Sequence, residues 1–198
     1  VQRLINTRSE RMMHYPGAGV GGHCLPKDTW LLLYGLSMYG KHEVDTHFVQ
    51  RARAINESMP FHLFELLEEA LNLKGRKFPD VKVAVLGVAY LENSGDTRNT
   101  PTYALVDRLT AYGADIITHD PYVTEFPEAR LTHDIDEALR DADALVIMTK
   151  HSHYISIDLD AAARAMRTRI IIDGRDTFSP ENARAAGFFY RAIGKGTH

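Results

Sequence analysis

After a glycine-rich stretch at Pro16 to Gly22, the apolar residues in the first part of the chain recur at steps of three and four. Between Asp45 and Leu73 the series Phe48, Ala52, Ile55, Met59, Leu63, Leu66, Leu67 and Leu71 forms one apolar stripe, and Lys27 to Tyr39 reads as an earlier helix. Pro60 lies inside the longer stretch, where proline removes a backbone donor and crowds the preceding turn, so a kink or a division is expected there. The segment Lys74-Gly75-Arg76-Lys77-Phe78-Pro79 ends the helical pattern. It separates a helical part, residues 1–76, from a part of different character, residues 77–198.

In the second part the period changes. Short apolar runs at Val81 to Leu86, Ile116 to Thr118, Ala144 to Met148 and Ile170 to Ile172 each stop at a polar residue or a glycine. Runs of this kind are strands buried on both faces. Helical patterns at Pro101 to Tyr112, Asp134 to Ala142 and Leu159 to Met166 lie between them, and the alternation predicts an α/β fold: a Rossmann-like, doubly wound parallel sheet behind the helical segment. Ligands of such sheets sit beyond the carboxyl ends of the strands. This directs attention to the loops at 87–98, 120–123, 149–154 and 173–177.

Composition narrows the partners. Among 198 residues, 23 Lys and Arg stand against 26 Asp and Glu, a net charge of −3. No broad basic field exists to hold nucleic acid or an anionic membrane, so an anionic ligand has to be met locally. No apolar run reaches the roughly 18 residues of a membrane-spanning helix. The one cysteine, Cys24, has no internal disulfide partner, which fits a reducing, cytoplasmic setting. The chain opens without a methionine and inside a helical pattern, so a C-terminal fragment of a longer protein is expected.

Gly17, Gly19 and Gly22 satisfy G-x-G-x-x-G, yet Met12-Met13-His14-Tyr15-Pro16 is not the buried strand which that dinucleotide fingerprint requires. The strand ending at Gly87 continues into Val88-Ala89-Tyr90 without further glycines. The glycines of the first loop instead read as tight turns beside a ligand. Next comes His23-Cys24-Leu25-Pro26-Lys27-Asp28. Proline favours the first helical position, so Pro26 places Cys24 just before a helix start. There the positive end of the helix dipole, together with Lys27, favours a thiolate. Asp28, four residues on, can reach back toward a group held at the sulfur. A lone cysteine is more often inert packing, but several electropositive features converge on this one. His23, its sequence neighbour, does not face it as a base would. His151-Ser152-His153 lacks the further ligands a metal needs and reads as a polar loop at a strand end. Arg98 and Arg175 occupy loops after strands, where a forked guanidinium can grip phosphate or carboxylate or form a surface ion pair.

The run from Pro16 to Asp28 resembles the catalytic cysteine loop of the UDP-glucose/GDP-mannose dehydrogenase family. Two further stretches are similar to that family: Val85 to Tyr90 through Gly95-Asp96-Thr97-Arg98-Asn99-Thr100-Pro101 with His119-Asp120-Pro121, and Ile172-Asp173-Gly174-Arg175. The resemblance implies NAD-dependent oxidation of the C6 alcohol of a nucleotide sugar to a carboxylate. Cys24 is then the covalent nucleophile and Asp28 the group that activates water, with Lys27 toward the cofactor and Gly19, Gly21, Gly22, Arg98 and Arg175 around a UDP-sugar substrate. It further implies that NAD is bound mainly by a domain preceding Val1, that homodimers form through the helical part, and that the piece is inactive alone. No metal is implied. Leu91 stands where the family commonly has a lysine for the substrate's diphosphate, and the Gly-Gly-His-Cys order is similar to enzymes acting on UDP-N-acetylhexosamines. A non-catalytic nucleotide-sugar-binding or dimerisation module is the competing reading. The Cys24 and Asp28 pair separates the two, since a module has no need of it.

Overall fold

The computed structural model describes residues 2–8, 13–42 and 44–196. The helical part comprises α1 (Gln2–Ile5), α2 (Cys24–Tyr39) and α3 (His47–Leu73). There follow β1 (Lys82–Leu86), α4 (Thr102–Ala111), β2 (Asp115–His119), β3 (Arg130–Thr132), α5 (Ile135–Leu139), β4 (Ala144–Ile147), α6 (Ser152–Ile155), α7 (Leu159–Ala165), β5 (Ile170–Asp173), α8 (Pro180–Ala185) and β6 (Phe189–Ala192). The strands form one sheet in the order β3-β2-β1-β4-β5-β6, and every neighbouring pair is parallel. The order reverses between β1 and β4, which makes the sheet doubly wound and opens its crevice at their carboxyl ends.

The apolar runs are continuous because both faces of the sheet are covered. Val83 and Val85 point to one face, where they pack with Leu63, Phe64, Leu67 and Leu71 of α3 and Leu105 and Leu109 of α4. Ala84 and Leu86 point to the other, against Leu139 of α5, Ala162 and Ala163 of α7 and Ala183 of α8. Helix starts on this second face carry their own caps. Asp134 accepts from the amides of Asp136 and Glu137, Asp158 from those of Asp160 and Ala161, and Ser179 from that of Asn182.

Three sequence expectations change. Pro60 does not divide its helix, since α3 runs unbroken for 27 residues with Pro60 buried in it. One interior proline costs about 3 kcal/mol, whereas each large apolar side chain buried just after it contributes about 2 kcal/mol, and Leu63, Phe64, Leu67 and Leu71 are all buried. Helix α2 begins at Cys24, not just after it, so the cysteine occupies the first helical position and Pro26 the third. Strands β3 and β6 escaped the apolar pattern. The first is three residues long at the sheet edge, and the second carries Arg191, which reaches Glu69 of α3 at 2.5 Å.

Candidate functional site

The glycine-rich loop before α2 lies across the carboxyl ends of the central strands and is fastened there residue by residue. Ala18 is fully buried in the core and donates its N–H to the Gly174 carbonyl at 2.9 Å. Asn56 of α3 clasps Val20 from both sides, accepting its N–H at 2.8 Å and donating to its carbonyl at 3.1 Å. The Gly22 N–H donates to the Arg98 carbonyl at 2.9 Å, and Asn99 Nδ2 returns a bond to the Gly22 carbonyl at 2.9 Å. The glycines are required by this close approach. A Cβ on Gly21 would stand 2.4 Å from the Asn99 carbonyl oxygen and 2.8 Å from Tyr90 Cβ, and Gly22 has φ +88 against the Tyr90 ring.

Cys24 emerges from this loop exposed to solvent. Beside it, Lys27 Nζ and Asp28 Oδ1 pair at 3.0 Å, each side chain about half exposed. Arg98 forks onto Asp96, with Nε at 2.9 and 3.0 Å from the two oxygens and Nη2 at 2.5 Å. Those bonds hold the Asp96 carboxyl below the usual carboxylate range. Arg98 also lies within electrostatic range of Tyr90 and Cys24, and Asp96 within range of His23, so these groups share one neighbourhood. Of the residues expected at the site, Gly21, Gly22, Cys24 and Arg98 are therefore gathered, with Lys27 and Asp28 one turn along α2.

Arg175 has a different setting. Its Nε donates to the Met148 carbonyl at 2.6 Å and its Nη2 to the Gly19 carbonyl at 2.7 Å, so the side chain ties the cysteine loop to the end of β4. Burial pulls its guanidinium below the ordinary arginine value, opposed by the charges of Glu92 and Asp173. Arg175→Lys keeps the charge but cannot make both bonds. It is expected to lose about 1–3 kcal/mol by urea unfolding and to speed proteolysis between Pro16 and His23, whereas unchanged proteolysis would remove the tether.

Two aspartates that organise the site stood in the family-like motifs without a role of their own, because each is an ordinary polar residue until folding buries it. Asp173 is buried and accepts from the N–H groups of Arg175, Thr177 and Phe178 and from the Tyr190 hydroxyl. This explains why Asp-Gly-Arg stands at the end of β5. Asp120 is equally buried after β2 and accepts from the amides of Val88, Ala89, Tyr122 and Val123 and from His151 Nε2 at 3.0 Å. Burial pushes the Asp120 carboxyl up, but the bonds from His151, Tyr122 and Ala89 prevail and hold it at about 2.

The loop after β1 is not a dinucleotide cradle. The Val88 and Ala89 amides are both bonded to Asp120, and α4 starts only at Thr102, so no short glycine turn offers amides at a helix start to a pyrophosphate. Among the described residues no group of three or more His, Cys, Asp and Glu is placed to hold a metal, and no helix is long and apolar enough to cross a membrane.

Comparison with known proteins agrees with this arrangement. Residues 1–58 match the central domain of the UDP-glucose/GDP-mannose dehydrogenase family, and residues 84–180 match that family's UDP binding domain. A UDP-N-acetyl-D-mannosamine dehydrogenase of Pyrococcus horikoshii is 39% identical over 98% of the chain and 43% of its own length. A UDP-glucose 6-dehydrogenase of Pseudomonas aeruginosa is 32% identical over 91% of the chain and 41% of its own length. The crystal structure of an NDP-N-acetyl-D-galactosaminuronic acid dehydrogenase from Methanosarcina mazei Go1 superposes with a TM-score of 0.87 at 38% identity, over 94% of this chain and 40% of that one. The chain thus spans about two fifths of the length of such relatives. With its cysteine loop laced onto the strand ends of a six-stranded parallel sheet, the chain belongs to the UDP-glucose/GDP-mannose dehydrogenase family, of which it holds a central-domain segment and the UDP-binding domain.

Proposed function

We propose that this chain is the nucleophile-bearing, UDP-sugar-binding part of an NAD-dependent nucleotide-sugar 6-dehydrogenase. Residues 1–76 contribute the cysteine loop and a homodimer surface, and residues 77–198 the UDP site. The observation that carries the reading is the lacing of the Cys24 loop to Arg98, Asn99 and Gly174, which sets an exposed thiol at a helix start beside an arginine at the sheet's switch point. The mannosamine-type relative and the Gly-Gly-His-Cys order favour a UDP-N-acetylhexosamine, with UDP-glucose as the alternative sugar. Helix α2 leaves Trp30, Leu31, Leu32, Tyr34 and Met38 exposed, which supports pairing of two copies through the helical part. A lone exposed thiol suits the reducing cytoplasm.

The chemistry follows from what a thiol can do at an aldehyde. Oxidising a C6 alcohol to an acid removes two hydrides, and NAD, held by the remainder of such an enzyme, is their acceptor. Between the two removals the Cys24 sulfur adds to the aldehyde carbon, giving a thiohemiacetal that cannot escape. Loss of hydride from the adduct's carbon, with its hydroxyl proton released, leaves a thioester. Water cleaves it to the carboxylate and free thiol, with Asp28 as the group that orients or deprotonates that water. Backbone N–H groups at the start of α2 are the donors for the developing oxyanion in this reading. Arg98 meets the diphosphate, and Gly19, Gly21 and Gly22 let the cysteine loop close onto Pro101, Asn99 and Tyr90 beside the substrate, while Lys27 supplies positive charge on the cofactor side.

Calorimetric titration of the chain with UDP and with NAD tests this assignment. Weak UDP binding and no NAD binding are expected. Leu91 is 52% exposed at the rim, so Leu91→Lys is expected to strengthen UDP binding about three- to tenfold through one charge-assisted contact. Tight NAD binding without a response to UDP would reverse the reading.

A further inference from the structure

The segment from Gly87 to Pro101 delivers Tyr90 and Arg98 to the cysteine, yet it contains neither strand nor helix. Its backbone groups find partners partly within the segment, as where the Tyr90 N–H donates to the Asp96 carbonyl at 2.9 Å, and partly outside it. At its start, the Val88 and Ala89 amides are held by Asp120 Oδ2 at 2.8 and 3.1 Å. At its tip, Asn93 has φ +54, and its N–H donates to His151 Nδ1 at 2.8 Å. The Asn93 side-chain oxygen in turn accepts from the Ser152 amide and hydroxyl, both at 2.9 Å, so the tip is pinned to the start of α6.

His151 links the two anchor points. The ring is fully buried, with Tyr122 and Tyr154 packed at centroid distances of 5.1 and 5.3 Å. Its Nε2 lies 3.0 Å from Asp120 Oδ2. An ionised carboxylate only accepts, so Nε2 carries the proton; Nδ1 is then left with its lone pair, which is what the Asn93 N–H needs. One rigid ring thus presents a donor to Asp120 and an acceptor to Asn93 on opposite sides. Asp120 sets the tautomer and the tautomer sets the loop.

We propose that His151 is a positioning residue for nucleotide-sugar recognition, whose Nδ1 lone pair, oriented by Asp120, holds the 87–98 loop in the form that brings Arg98 to the cysteine. The role rests on the reading that this loop meets the substrate's diphosphate. It extends that reading to a residue that touches no substrate.

Two conservative variants divide the ring's functions. His151→Asn keeps an acceptor where Nδ1 lies and gives up the bond to Asp120, whereas His151→Gln keeps a donor toward Asp120 and gives up the acceptor. Hydrogen exchange of peptides covering 88–98 is expected to be about tenfold faster in His151→Gln and near the unaltered rate in His151→Asn, although the latter melts lower. UDP affinity is expected to fall about tenfold in His151→Gln and by less than about threefold in His151→Asn. A purely structural role, filling space and pairing Asp120, predicts the opposite order, and that order would overturn the proposal. Equal UDP affinity in all three proteins would overturn the positioning role while leaving the UDP site intact. No UDP binding by the unaltered chain would instead overturn the site reading, and the recognition role with it. Nitrogen NMR of the unaltered chain needs no variant: a His151 proton on Nε2 and a bare Nδ1 are expected, and the reverse tautomer would overturn the inference.

Discussion

Gly87→Ala is expected to cost roughly 4 kcal/mol or more and to lower the melting temperature by about 10 °C, measured by calorimetry. Gly87 has φ +90, which by itself costs an L-residue about 1–2 kcal/mol. The larger effect is steric, since an added Cβ would lie 2.4 Å from Thr149 Cβ, 2.7 Å from its nitrogen and 2.9 Å from its Cα. These atoms follow β4 and cannot swing away as the tip of a long side chain would. Gly87 also donates to the His119 carbonyl at 2.8 Å and accepts from Thr102 Oγ1 at 3.1 Å, so any shift disturbs the ends of β1 and β2 and the start of α4 together. Gly75→Ala is the control. It shares the left-handed backbone, φ +69, but has nothing within 4 Å of an added Cβ, and a loss of only about 1 kcal/mol is expected. Equal losses at the two positions would show that backbone strain alone matters at Gly87.

Acid is expected to weaken the fold in two separate windows, starting well above the carboxylate range. His119 is fully buried at the end of β2. Tyr154 donates its hydroxyl proton to the His119 carbonyl at 2.8 Å, so the ring's Nδ1, 3.0 Å from that hydroxyl, is the donor to it. Nε2 is then bare and without a hydrogen-bond partner. Burial first, and then the neighbouring His153, lower the His119 value from 6.5 to about 4. The unfolded chain therefore takes up a proton that the folded chain refuses. Stability is complete above pH 6.5 and declines between 6.5 and 4, by about 3 kcal/mol in all. Below that, Asp120 and Asp143 continue the decline. Burial pushes the Asp143 carboxyl up, but Arg167, the Lys82 amide and Thr168 hold it at about 2, so its contribution, like that of Asp120, is present above about pH 3.8 and lost as pH falls toward 2. Urea midpoints from pH 7 to about pH 2 measure both windows. His119→Asn, which keeps a donor for Tyr154, is expected to flatten the upper window alone, and a slope that persists in this variant would exclude His119 as its source.

How much of this was legible beforehand depends on the kind of interaction involved. The doubly wound sheet was legible because burial on both faces leaves an unbroken apolar run, and Val83 to Leu86 and Ala144 to Met148 are such runs. The cysteine loop was legible because close backbone approach excludes side chains, and Gly21 and Gly22 record that exclusion in the sequence. Strand β6 was hidden, since its Arg191 looks like a surface residue until Glu69 is brought to it from α3. Pro60 misled for a similar reason, because local propensity opposes a helix that distant packing stabilises.

What the sequence alone determined about this protein is the period of its elements, the family of its motifs and the position of its one thiol. These properties are local or are written in contiguous residues. The tertiary structure alone decided how those motifs are used. Arg98 and Arg175 occupy equivalent places in the pattern, yet the exposed Arg98 forks onto Asp96 in the neighbourhood of Cys24, whereas Arg175 has its donors engaged by the carbonyls of Met148 and Gly19. His151 read as a polar loop residue, and it is the buried link between Asp120 and Asn93. A guanidinium or an imidazole has the same chemistry wherever it stands. Its role is set by which donors and acceptors the fold places within about 3 Å of it, and those partners lie 31 residues away for Asp120 and 58 for Asn93, beyond the reach of any local pattern.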